Sequence, residues 1–80
     1  MWPDVIEVRT QPGYLLDLVF ANGERRRFDM KPYLHFPALR RLENPGFFSL
    51  ARAEYGTVVW PGDIDMAPET LYDLSVPNES

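Results

Sequence analysis

Three acidic side chains near the C-terminus, Asp63, Asp65 and Glu69, are the first residues whose type and spacing invite a chemical reading. Carboxylates this close together could hold Mg²⁺ or Ca²⁺ through oxygen ligands. Their spacing lacks the glycine and the distal glutamate of an EF-hand loop. The pattern therefore favours a helix-positioning role for Asp65 and solvated roles for the other two. Arg25, Arg26 and Arg27, with Arg40 and Arg41, form a second group that would suit phosphate. On a strand, Arg25 and Arg27 leave one face and Arg26 the other, so the run is not one patch. Charges that guard a hairpin edge from aggregation explain it as well. His35 is the only histidine. Acid–base catalysis would need a partner within hydrogen-bond reach, and no Ser/Cys–His–Asp pattern accompanies it. On these residues no catalytic, cofactor-binding or metal-ligating role is assigned.

Aromatic side chains are the other candidates. Trp2, Phe36, Tyr55, Trp60 and Tyr72 could include interface anchors, since aromatics dominate binding hot spots. Most must also fill the core of a chain of 80 residues. So short a chain buries only about 60% of its unfolded surface, so at least one aromatic in an exposed apolar patch is expected. The net charge of −4 speaks against general nucleic-acid affinity. The absence of cysteine excludes disulfides, thiolate metal sites and thiol nucleophiles. It also fits a reducing cytoplasm. No signal segment opens the chain and no apolar run reaches membrane-span length.

The elements that must position these residues are short, as eight prolines dictate. A first strand is expected over residues 4–9, with Ile6 and Val8 on one face and Val5, Glu7 and Arg9 on the other. Gln11-Pro12-Gly13 turns into a second strand over residues 14–20, where Tyr14, Leu16, Leu18 and Phe20 alternate with Leu15, Asp17 and Val19. A third strand spans residues 24–30. A two-residue Asn22-Gly23 loop would set Leu18 against Arg27 and Asp17 against Phe28. A three-residue Ala21-Asn22-Gly23 loop, with Gly23 left-handed, instead sets Leu16 against Phe28 and Asp17 against Arg27. The second register keeps one face apolar and is the one expected.

Residues 31–34 and 37–42 read as short helical turns, with Leu39 and Leu42 inward. Asn44-Pro45-Gly46 reads as a break, and Phe47-Phe48 as a core anchor. A weak strand over residues 50–54 hairpins through Tyr55-Gly56 into residues 57–60, where Thr57, Val58, Val59 and Trp60 are β-formers. Pro61 ends that strand, and the Trp60-Pro61 bond is expected trans. Gly62 and Asp63 turn the chain again. Pro68 suits a first helical position and Glu69 its dipole, with Leu71 and Leu74 docking the helix. Residues 76–80 read as a frayed tail. The sum is one small α+β domain over residues 1–80, with an antiparallel sheet of about five short strands and two or three short helices.

The residues resemble a small bacterial family catalogued as domain of unknown function 2442. The likeness spans nearly the whole chain. It is carried by Tyr14, Phe20, Gly23, Asp29-Met30, Tyr33-Leu34, Phe47, Trp60-Pro61, Asp65, Pro68-Glu69 and Leu71-Tyr72. Its C-terminal part is the more specific, and Ala67 at the helix cap is a mild departure. The resemblance implies an α+β fold without established activity or assigned catalytic residues. Members look like lone small proteins or domains joined to a helix-turn-helix, often encoded beside another small protein. That context implies toxin–antitoxin-like pairs. No helix-turn-helix follows residue 75 here, so any DNA contact would come through a partner.

The function expected is thus a non-enzymatic, cytoplasmic protein-binding module without a cofactor. It would be the antitoxin-like or accessory member of a pair or larger complex. Its partner would be another protein, encoded by a neighbouring gene, or a second copy. Tyr55, Trp60, Pro61, Asp65 and Tyr72 are the expected contact residues. The alternative is a regulatory module touching nucleic acid through Arg25, Arg27, Arg40 and Arg41. A small metal-dependent enzyme using the acidic group ranks third.

Overall fold

The three-residue Ala21-Asn22-Gly23 loop sets the second hairpin in the register expected. In the computed structural model, which describes residues 2–78, β2 (Leu15–Phe20) pairs with β3 (Arg25–Asp29) so that Leu16 faces Phe28, Asp17 faces Arg27 and Leu18 faces Arg26. Gly23 is left-handed at φ +89°, and its N–H donates to the Phe20 carbonyl at 2.9 Å. Leu16, Leu18 and Phe20 are buried, whereas Leu15, Asp17 and Val19 on the opposite face are half-buried. The alternation written in the sequence is therefore the alternation of the sheet.

The first strand departs from its expected pattern. β1 (Val5–Gln11) pairs with β2, but Val5 sits opposite Phe20 and Glu7 opposite Val19, which leaves Ile6 as an extra residue in a bulge. Val5 is consequently buried in the core against which Val8 packs, and Ile6 is 61% exposed, so Ile6 does not share the face of Val8 as expected. One inserted residue reverses the alternation for the residues before it. β1 also runs on to Gln11, so the turn is Pro12-Gly13-Tyr14. The same turn recurs later as Pro61-Gly62-Asp63. Gly13 and Gly62 lie at φ 88° and 87°, and Tyr14 and Asp63 follow them at 63° and 62°.

The fold is α+β, but its strands form two antiparallel sheets rather than one. The first has the order β1-β2-β3-β7, with β7 at Val76–Pro77. The second joins β4 (Arg52–Glu54), β5 (Thr57–Trp60) and β6 (Ile64–Asp65). A bond from the Val5 N–H to the Gly56 carbonyl at 3.0 Å ties the sheets together. Residues 76–78 are not a frayed tail. Val76 pairs with Arg27 and Pro77 with Arg26, and the Asn78 N–H donates to the Arg25 carbonyl at 2.9 Å. Proline is tolerated because β7 is an edge strand. Glu79 and Ser80 lie outside the described residues.

Two 3-10 helices, Lys31–Tyr33 and Pro37–Glu43, cover the middle of the chain, and the second buries Leu39 and Leu42. Asn44 does not simply break the chain. Its Oδ1 accepts from Gly46 N at 2.9 Å and Phe47 N at 3.3 Å, capping the one-turn α1 (Pro45–Phe48). Phe48 then packs edge-on against Tyr14 and tilted against Trp60. One hydrophobic core joins residues of both sheets and of the helices.

α2 (Pro68–Asp73) buries Leu71, but Leu74 is 59% exposed because the helix ends one residue before it. Trp60-Pro61 is trans, with no cis peptide among the described residues. Ala67 occupies the N-cap with extended dihedrals and no side-chain bond. Ala67→Ser should therefore stabilise the domain by about 1 kcal/mol, read as an increase in the urea midpoint.

Candidate functional site

Two turns stand at opposite ends of β5 in the three-stranded sheet. At one end stands the β4–β5 turn. Glu54 pairs with Thr57, so Tyr55 and Gly56 form a two-residue loop, with φ of 56° and 76°. Two left-handed residues define the hairpin turn in which Asn-Gly or Gly-Gly is preferred. Gly56 suits its position for a further reason, because a Cβ there would lie 2.6 Å from the Asp4 carboxylate. Tyr55 does not suit its position, and its side chain is 92% exposed.

At the other end lies the Pro61-Gly62-Asp63 turn. The Arg41 guanidinium lies over the Phe47 ring at 4.6 Å and against Gly62, where a Cβ would come within 2.7 Å of its Nη1. Between the turns runs a groove of about 360 Å³, bordered by Arg52, Tyr55, Val59, Pro61, Asp63 and Asp65. Arg52 is neutralised by Glu54 at 2.8 Å. Asp63 and Asp65 have no ion-pair partner among the described residues.

Tyr55, Pro61 and Asp65, expected as contact residues, thus border one groove. Trp60 also borders it but cannot serve as an exposed anchor. Trp60 is 3% exposed, and its indole N–H donates to the Phe48 carbonyl at 2.9 Å, so it is a core residue forming a wall. Tyr72 lies elsewhere. It packs edge-on to Phe20 and donates its hydroxyl to the Glu24 carboxylate.

That second location is a polar network the sequence did not reveal. Arg26 donates from Nε to Ser75 Oγ at 2.6 Å, from Nη2 to the Ser75 carbonyl at 2.7 Å and from Nη1 to Glu24 at 3.1 Å. Its guanidinium also sits 5.0 Å from the Tyr72 ring centroid. The Tyr72 hydroxyl, then the Asn22 amide and Arg26, hold the Glu24 carboxyl below its ordinary range, and the same Glu24 bond raises the Tyr72 hydroxyl. Arg26 and Ser75 are 49 residues apart in the chain, so no local signal could have paired them.

The arginines do not assemble into one patch. Arg27 forms two bonds to Asp17, at 2.7 and 3.1 Å, on the outer face of the four-stranded sheet. Arg25 shares that face, lining a shallow site with Glu7, Arg9 and Asp17. Arg40 pairs with Glu43 at 3.6 Å, and Arg41 serves Phe47 as described. His35 is exposed and tilted against Phe36 at 4.4 Å. Asp63, Asp65 and Glu69 do not converge, and among the described residues no three His, Cys, Asp or Glu side chains meet as metal ligands would.

Arg27 holds the Asp17 carboxyl below its ordinary range, chiefly by hydrogen bonding. A carboxyl depressed by folding contributes stability above its unfolded pKa, and loses it as pH falls through the folded value. Asp17→Asn should therefore flatten the fall in urea midpoint below about pH 4 relative to the parent chain.

No helix among the described residues is long and apolar enough to cross a membrane. Neither a curated protein nor a solved structure matches the chain. Residues 5–77 match the family described as Protein of unknown function (DUF2442), and the protein belongs to that family.

Proposed function

We propose that this domain is a non-enzymatic module that binds another protein through the groove between Tyr55 and Asp63. It acts as the antitoxin-like or accessory member of a pair or larger complex in the cytoplasm. The observation that carries this reading is Tyr55. Its ring contributes nothing to the core, and its backbone holds a left-handed conformation that costs a side-chain-bearing residue about 1 kcal/mol. Asparagine would sit there with less strain. An exposed aromatic kept at a strained position is a reasonable anchor, because such residues dominate binding energy when a partner covers them. The shallow groove beside it and the half-buried Val59 supply the adjoining surface.

Tyr55→Asn separates stability from binding. The variant should unfold at higher urea, by about 1 kcal/mol, yet lose the stoichiometric protein that co-purifies with the tagged parent chain from its host. A partner retained by the variant, or no protein partner for the parent, would overturn the reading. Nucleic acid co-purifying instead, with affinity falling steeply in salt, would move the function to the arginines.

A further inference from the structure

Three features of the groove converge on one kind of side chain. Its mixed polar and apolar lining includes the half-buried Val59 and, two residues on, Pro61. Its entrance carries the exposed Tyr55 ring, whose face attracts a cation. Asp63 at its other end and Asp65, paired across the strands with Val59, are exposed and without an ion pair among the described residues. A long aliphatic stem ending in a positive charge matches all three, since such stems lie along apolar surface while the charge reaches polar groups. The cations nearest the groove do not fill this role. Arg52 is held by Glu54, and Arg41, though it reaches Gly62, lies over Phe47 rather than pairing with either aspartate. The volume of about 360 Å³ lies within the range of small binding sites. The overall charge of −4 would speed the approach of a positive segment.

We infer that the groove takes a lysine- or arginine-bearing segment of a partner protein. This rests on the protein-binding reading above and specifies the partner's chemistry. An ¹⁵N-labelled sample of the chain is titrated with a peptide alternating arginine and valine, and with one alternating glutamate and valine. The basic peptide should shift the amide resonances of Tyr55, Val59, Asp63 and Asp65, and the acidic peptide should not. The double variant Asp63→Asn/Asp65→Asn should bind the basic peptide about fivefold more weakly. Glu7→Gln/Glu69→Gln removes the same charge away from the groove and should leave binding nearly unchanged. Shifts centred elsewhere, equal losses in both double variants, or no shifts would overturn the inference. The protein-binding reading is judged separately: a partner captured equally well by Asp63→Asn/Asp65→Asn but lost by Tyr55→Asn refutes the basic segment and leaves the module intact.

Discussion

Trp60→Ala is expected to cost about 3–5 kcal/mol, and much of the domain should be unfolded at physiological temperature. The indole lies 3% exposed in the core, tilted against Phe48 with centroids 6.0 Å apart. Its N–H satisfies the Phe48 carbonyl at 2.9 Å, and that carbonyl belongs to the single turn of α1. Alanine would leave a large cavity and remove one of the two donors to that carbonyl, the Ala51 N–H at 3.3 Å remaining. A domain of this size has only about 4–12 kcal/mol to lose. Near-ultraviolet circular dichroism and urea unfolding measure the effect directly. Trp60→Phe keeps most of the volume and loses only the donor, while the Ala51 N–H still serves the carbonyl, so it should cost about 0.5–1.5 kcal/mol. A fully folded Trp60→Ala protein that had merely lost its partner would return Trp60 to the contact surface.

The next largest effect belongs to Arg26, whose three hydrogen bonds hold Ser75 and Glu24. Arg26→Ala should destabilise the domain by about 2–3 kcal/mol, the usual range where a charged, partly buried donor is removed. The loss should be local before it is global. β7 is two residues long and rests on β3, so hydrogen exchange should accelerate at residues 75–78 more than in β2. Lysine offers one point charge in place of a planar fork, so Arg26→Lys should recover only part of the protection. Unchanged exchange in the C-terminal segment would show that β7 is held by its ladder alone. The result also bears on the arginine run, because a structural Arg26 cannot at the same time face nucleic acid.

Much of the fold was legible where the decisive forces are local. The β2–β3 register followed from Gly23 and from the need to keep Leu16 and Phe28 on one face. Pro68 and Glu69 marked the start of α2, and Leu39 and Leu42 the inward face of the helix over Pro37–Glu43. Three of the contact residues expected, Tyr55, Pro61 and Asp65, border one groove because they belong to consecutive turns and strands of the same small sheet.

What the sequence determined by itself, then, was the α+β class, the hairpins and the family, since turn chemistry and period-two alternation act over a few residues. Tertiary structure decided the rest. The bulge at Ile6 is set where β1 meets both β2 and the Gly56 turn, a requirement no single strand displays. Trp60 went inward because α1 offered its indole a carbonyl, although the residues around it in sequence read equally well as a surface anchor. β7 pairs with β3 beside the bonds from Arg26 to Ser75, contacts that span 49 residues of chain. Such long-range contacts carry a loop-closure cost that only the assembled core offsets, and it is the assembled core that divided one expected sheet into two.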